Sequence, residues 1–558
     1  VVFLAVSLSV TIVPIRADND CWWHVKTGQY IVRHGLPTHD VMSHAAERYE
    51  WHNHEWLAQI GFYAVHALGE DTGLGGWRAL ILAVSVAITA AYATVFWLAR
   101  RISGNWWIAL LIVVFAIGTG RRTFYPRPPV ISYVIIAGLV AILTAYSEGW
   151  MARKRWMLAI PPLFALWGNL HGAWLAGGVI VAAYAAQGLA ESWLRPRLPL
   201  PVEASPAILP APHWFALGAL TVAATCANPY TWQLWLLPVR VLSDRELVAS
   251  LSELQSPNFH FTQHFEWLLL GALAVAGMVR RFRPRLGELL IFLFFAHQSF
   301  LHVRHLTLFS LVMVPMVARL ARVAADEARA ALGARGGPLL VAARGAFVLA
   351  TAACAWVLLA NPRESAGLAP FAPGSYPFRN RQFLQTGEGY IRGAFPAAQC
   401  DFIELARLEG NMFNLNHYAG YLIWRFAPEK HRVFSDSRFD IFGGDIWRLE
   451  QAIAAGTQFI PGDSAVARQS QAAFAAGTPL WQGLLDQYDV QWMLIPAGLG
   501  LTSRLRAGTT WKCVALWADP GTGTIDSGWQ VWIRDTPENA AQIARAQAMA
   551  RTLGVTPP

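Results

Sequence analysis

Two aspartates separated by one asparagine, Asp18 and Asp20 in ADNDCWWHVKTGQY, close the first apolar run of the chain. Carboxylates at such a boundary cap a helix, hold a cation, or take a proton from an attacking group. Asp20 precedes a run that reads as a helix over 21–34, so it also fits as an N-cap. Other ionisable or amide side chains gather in the same alternate set of connectors between apolar runs. They are His24, Asp40, His44, His54, Glu55, Arg121, Arg122, Arg127, Asn169, His171, Glu253, Asn258, His260, His302, Arg304 and His305. Ionisable groups beside a membrane are costly to desolvate, so this one-sided clustering marks a functional face. The chemistry requires no cofactor. A divalent cation, Mg or Mn, would have its ligands among Asp18, Asp20, Asp40 and His44. A manganese site for a nucleotide sugar is excluded by side, because the aspartates face outward. No GxSxG, HExxH or P-loop pattern supports a hydrolase or an NTPase.

The elements that must hold these groups are apolar. The 558 residues are 55% hydrophobic and 14% charged, against roughly 25% charge in an ordinary soluble chain. At roughly 20 apolar residues per span, about eleven spans are expected. They lie near 1–15, 76–99, 105–120, 129–147, 156–169, 172–193, 214–228, 265–279, 286–301, 304–320 and 338–360. The first is short and starts without methionine, as a sequence beginning inside a span would, and it lacks the basic n-region of a signal peptide. Every second connector is rich in arginine or lysine, as in MARKRW and VRRFRPRLG, and is assigned to the cytoplasm, holding arginines, prolines and little else. The expected architecture is an α-helical polytopic membrane module over 1–360 with a soluble, outward-facing α/β domain over 361–558. RVFSDS and VQWMLIP read as strands of that domain and DIWRLEQAIAA as a helix, with Asp436, Arg438 and Asp440 alternating as on one strand face. The net charge of +9 is topogenic and argues for no nucleic-acid partner. Among five cysteines, Cys400 and Cys513 share the outward domain and could pair if that compartment is oxidising.

The first outward loop, 16–75, is the longest connector and carries two amphipathic stretches, CWWHVKTGQYIVRHG and HEWLAQIGFYAVHALG. Both read as helices lying along the membrane interface. A long first outward loop of this kind that opens with an aspartate resembles the GT-C superfamily. These are polytopic glycosyltransferases that use polyprenyl-phosphate-linked sugar donors, and they include protein O-mannosyltransferases, aminoarabinose transferases and oligosaccharyltransferase catalytic subunits. More narrowly, the chain is similar to a bacterial membrane group through DNDCWWHVKTGQYIVRHGLPTHDVMS, HNHEWLAQIGFY, NLHGAWLAG, NPYTWQLW, ELQSPNFH, RHLTLF, NHYAGYLIWRF and RVFSDSRFDIF.

The resemblance implies a catalytic aspartate at Asp20 or Asp18, acting on the acceptor as general base or by orienting it. It implies a donor phosphate neutralised by cations, for which Arg304, His302, His305, Arg121, Arg122 and Arg127 are the candidates. Contacts to sugar or acceptor fall to His24, Asp40, His54, Glu55, Asn169, His171, Glu253, Asn258 and His260. The expected partners are the lipid bilayer, a polyprenyl-phosphate sugar donor, and a glycan, lipid or protein acceptor. The expected location is the bacterial cytoplasmic (inner) membrane, with the C-terminal domain outside. Two other classes compete: a transporter or flippase of lipid-linked sugars, and a non-catalytic assembly or sensor subunit. A transporter needs polar groups near the midplane and matched repeats, whereas polarity here is confined to one face.

Overall fold

A computed structural model describes residues 19–332 apart from 121–122, 152–153, 195, 198–201, 207–208, 258–270, 273–275, 278 and 280–281, together with 395–518, 528–555 and 557. In chain order the main helices are α1 (Asp20–His34), α2 (Trp56–Asp71), α3 (Gly76–Ser103), α4 (Trp106–Gly120), α5 (Pro129–Ser147), α6 (Ile160–Trp167), α7 (Trp174–Leu189) and α8 (Ala211–Thr225). They continue with α9 (Leu286–Leu301), α10 (Leu306–Val312), α11 (Val314–Leu332), α12 (Ala397–Ala406), α13 (Asn416–Phe426), α14 (Asp445–Ala454) and α15 (Ala540–Leu553). The strands are β1 (Asn411–Phe413), β2 (Val490–Pro496), β3 (Trp511–Trp517) and β4 (Trp529–Arg534). These residues form two compact units that interleave along the chain. One takes 1–18, 54–236 and 248–381; the other takes 19–53, 237–247 and 382–558. The loop expected to face outward is therefore shared, with α1 in the second unit and α2 in the first.

The first unit is a helical bundle built on α3, which packs against α2, α4, α5 and α11, while α7 lies against α9. Val84, Ile88, Tyr92, Val95 and Leu98 recur at helical spacing and form its buried stripe. Leu82, Val86, Leu111, Phe115, Phe215, Leu220 and Leu293 stay exposed on the outside. Helices that are apolar all round suit a lipid solvent. Among the described residues, α3 and α5 are long and apolar enough to cross a membrane. A bent pair, Val303–Val312 and Val314–Ala331, would count as a third if it acts as one span. Its 54° bend has a local cause: Pro315 has no N–H for the carbonyl of Leu311. The expectation of eleven spans is thus not met among the described residues. Several expected runs fold as shorter helices, such as α6 with 8 residues and α8 with 15. The run 1–15 and most of 265–279, with all of 338–360, lie outside the described residues.

The bundle also corrects the view that the basic connectors hold little but arginine and proline. Arg319 of α11 makes paired hydrogen bonds to Glu288, at 3.1 and 3.0 Å, and bonds Glu148 as well. Arg285 reaches Glu148 at 3.1 Å and Ser147 at 3.0 Å. Buried charges persist only when paired in this way, and one network joins the ends of α5, α9 and α11.

The second unit is built on a mixed sheet of order β1-β2-β4-β3. β1 and β2 are parallel, and β2–β4 and β3–β4 are antiparallel. VQWMLIP is β2, as its apolar run suggests, and DIWRLEQAIA is α14. RVFSDS is not a strand. It is a loop whose Val433 bridges Ser43, with Val433 N donating to Met42 O at 2.9 Å. Asn414, wholly buried at the end of β1, holds that loop by accepting from Phe434 N (2.7 Å) and donating to Ser435 O (2.8 Å). Helix α1 packs on α13. Of the apolar face Trp22, Val25, Tyr30 and Ile31, all but Tyr30 are buried in this unit, with Trp22 edge-on to Tyr421 at 5.0 Å. Cys400 and Cys513 are free thiols and form no disulfide.

Candidate functional site

Two clusters hold the sequence-predicted residues, one in each unit. In the second unit α1 begins at Asp20, with Asn19 at the cap position. The Asp20 carboxylate accepts a hydrogen bond from Ser437 Oγ, across 417 residues of sequence. Asn19 is tied at the same point: its amide donates to Asn416 O at 3.0 Å and accepts from Gly420 N at 2.9 Å. Asp20 is thus the first residue of the helix, tied by its side chain to a distant loop, which overturns its reading as an N-cap.

Ser437 lies between two immobilised residues. Arg438 donates to Asp436 from its backbone N (2.8 Å), from Nε (2.9 Å) and from Nη2 (2.6 Å). It grips Asp40 from Nη1 and Nη2 at 2.8 and 3.1 Å. All three side chains have no solvent exposure, and the guanidinium lies 4.8 Å from the centre of the Trp51 ring. Burial works against the charge on Arg438, but the two carboxylates outweigh it and push the pKa up. Burial also raises Asp440 to about 6, with Arg438 opposing, and raises Glu450 to about 7. Glu450 accepts from Asn416 N at 3.1 Å, beside the Asn19 joint.

This geometry corrects several expectations. Asp40 is a buried ion spent on Arg438. His44 bonds Met412 O at 2.9 Å. Among the described residues no group of three His, Cys, Asp or Glu side chains could hold a metal ion, so Asp20, Asp40 and His44 do not form the divalent site expected of them. His24 is buried on α1 with its ring 3.7 Å from that of Trp23. Asp18 lies outside the described residues.

In the first unit a relay runs through short connectors. Trp167 Nε1 donates to Ser132 Oγ at 2.7 Å, and Ser132 is 2.9 Å from His171 Nδ1. Ala173 N–H also donates to that nitrogen, at 3.2 Å. With Nδ1 an acceptor, the neutral ring carries its proton on Nε2. Burial, then the charges of His54 and Arg304, hold the His171 pKa well below the usual imidazole value. Glu55 Oε1 sits 3.7 Å from His171 Nε2 and 3.7 Å from His54 Nε2, between the two rings. Asn169 is committed to structure: it accepts from Trp56 Nε1 and donates to Ala165 O and Ala227 O, all within 2.9 Å. It locks α2 to the α6–α7 turn that carries His171.

The cations lie alongside. Arg127 pairs with Glu253 at 2.8 Å. The Arg127 charge is the largest influence holding the Glu253 carboxyl below its ordinary range, with Arg304 adding to it. His302 bonds Leu254 O at 2.6 Å, and its ring lies 5.4 Å from that of His305. Arg304 is exposed, so of these cations it is the one best presented to a ligand. Arg121, Arg122, Asn258 and His260 lie outside the described residues. Sequence reasoning missed Ser437, Ser132, Trp167 and Glu450. A serine or tryptophan carries no sign of its bonding partner. The unusual spacing of SDSRFD was the signal available for Ser437.

No family model and no curated protein sequence matches this chain. Solved structures do. A crystal structure of the Archaeoglobus fulgidus oligosaccharyltransferase, tethered to an acceptor peptide, aligns with a TM-score of 0.50 at 11% identity over 96% of this chain and 74% of that one. Its apo form aligns with a TM-score of 0.51 at 12% identity, over 88% and 69%. This chain has the GT-C fold. A mycobacterial arabinofuranosyltransferase, AftD, also aligns, with a TM-score of 0.49 at 14% identity over 96% of this chain and 40% of that one. Within the first unit, Glu55 and the rings of His54 and His171 come from the segment before α2 and the α6–α7 turn.

Proposed function

We propose that this chain is a membrane glycosyltransferase. It moves a sugar from a polyprenyl-phosphate donor to a glycan, lipid or protein acceptor at the outer face of the cytoplasmic membrane. The observation that carries the reading is the Asp20 carboxylate, held by Ser437 at the start of α1 in a GT-C fold. An acceptor oxygen or nitrogen attacks the anomeric carbon, forming the new glycosidic bond as the bond from that carbon to the phosphate oxygen breaks. The acceptor proton passes to Asp20, and the polyprenyl phosphate leaves with the electron pair. A cation at the leaving phosphate stabilises the developing charge, and within the first unit Arg304 is the exposed candidate for binding a phosphate. The half-buried, neutral His171 is suited to donate from Nε2 rather than to add positive charge.

The test is release of farnesyl phosphate from farnesyl-phosphate-linked mannose, glucose, galactose and arabinose, with membrane extract as acceptor. Asp20→Asn should lower kcat by roughly 100-fold or more while leaving expression and detergent elution intact. Arg304→Ala should act mainly on KM for the donor. Wild-type turnover in Asp20→Asn would remove the catalytic assignment.

A further inference from the structure

We propose that Ser437 is a positioning residue for the Asp20 carboxylate, and that the buried Asp40–Arg438–Asp436 triad exists to deliver it. The inference rests on the reading of Asp20 as the reacting carboxylate. A loop serine ordinarily turns with its backbone and its χ1 rotor. Here residue 436 is bonded to residue 438 through both the backbone N–H and the guanidinium, so the turn carrying Ser437 is closed on itself. Asp40 then anchors that turn to the 38–51 segment through two further bonds, with the Trp51 ring over the guanidinium.

Burying three ionised side chains costs several kcal/mol per ion in desolvation, and apolar packing of equal volume commonly does better. Stability alone is thus a poor reason for a wholly buried Asp–Arg–Asp set. Geometry is a better one, because five charge-assisted hydrogen bonds fix the backbone that carries Ser437 and leave its side chain only the χ1 rotor. Its hydroxyl meets Asp20 Oδ1. Since an ionised carboxylate only accepts, the serine is the donor. That bond fixes the plane of the carboxylate and favours its charged form, the form that takes a proton from an acceptor. The backbone of Asp20 is held independently, through Asn19 on Asn416 and Gly420. A Cβ at residue 420 would lie 2.0 Å from Asn19 O, so the chain approaches α13 there as closely as glycine permits.

The experiment uses the full chain in detergent and four variants: Ser437→Ala, Ser437→Thr, Ser437→Cys and Asp20→Asn. Farnesyl phosphate release is followed from pH 4.5 to 8, and the infrared band of protonated carboxyls is titrated with Asp20→Asn as the subtraction. Ser437→Ala should lower kcat roughly tenfold with donor KM nearly unchanged. It should also move both the acidic limb and the Asp20 band to higher pH by about half a unit or more. Ser437→Thr, which keeps the donor, should restore both, and Ser437→Cys, a weak donor, should fall between them. A Ser437→Ala protein with wild-type kcat and an unmoved Asp20 band overturns the inference. If that variant does not elute as a folded species, a Ser437→Cys protein indistinguishable from wild type, or from Ser437→Thr, in both readouts overturns it equally. Loss of activity in Asp20→Asn together with a silent Ser437→Ala removes only this inference. Full activity in Asp20→Asn removes the reading beneath it, while the infrared shift still reports whether Ser437 holds the carboxylate.

Discussion

Glu450 is a carboxyl whose titration burial moves up to about 7, against an ordinary 4.5. A raised carboxylate pKa contributes stability that is complete below the unfolded value and lost as pH rises through the folded one. The window here is therefore pH 4.5 to about 7, and the full swing is roughly 3 kcal/mol at about 1.4 kcal/mol per unit. Glu450→Gln keeps an acceptor for Asn416 N and removes the titration. Its melting temperature should gain on wild type between pH 5 and 8 in a thermal-shift series. A constant difference across that range would show that Glu450 does not titrate in the window. Arg438 is the opposite case, a buried charge that holds both Asp436 and Asp40 at 2.6–3.1 Å. Arg438→Met should strand Asp40 and Asp436 and cost about 3–5 kcal/mol, read as loss of a monodisperse elution peak.

Helix–helix contacts at glycine set the next level. Gly420 of α13 lies under the Asn19 carbonyl, and Gly177 of α7 lies under Trp167, where a Cβ would sit 2.2 Å from the indole. Trp167 is the first donor of the relay that ends on His171. Overpacking of this kind commonly costs about 1–3 kcal/mol through shifted side chains and backbone. Gly177→Ala should therefore lower the melting temperature and also weaken activity, since the indole cannot move without releasing Ser132. Gly178→Ala, next to it with no atom within 4 Å of an added Cβ, should do neither. Equal effects at both positions would mean that the packing against Trp167 is not what holds the relay.

For the whole molecule, the arginine-rich connectors assign the first unit its orientation, and that assignment has a direct readout. In a cysteine-free background, Ala473→Cys should react with a membrane-impermeant maleimide in spheroplasts. Arg155→Cys should react only after permeabilisation. Both positions are exposed, so the label reports sidedness, and the reverse pattern would invert the proposed topology.

The sequence by itself determined what depends on local pattern. Apolar periodicity marked α3 and α5, the helical stretches CWWHVKTGQYIVRHG and HEWLAQIGFYAVHALG, the strand VQWMLIP and the helix of DIWRLEQAIAA. Position in the first outward loop also marked Asp20. Tertiary structure alone decided which unit claims α1, because an amphipathic face reads the same whether lipid or protein covers it. It alone turned the alternation of Asp436, Arg438 and Asp440 from a strand face into a closed turn, because the ion that anchors the turn, Asp40, lies about 400 residues away. The same holds for Ser437 on Asp20 and Arg319 on Glu288. A hydrogen bond between distant residues leaves no period in the chain, only two side chains able to make it.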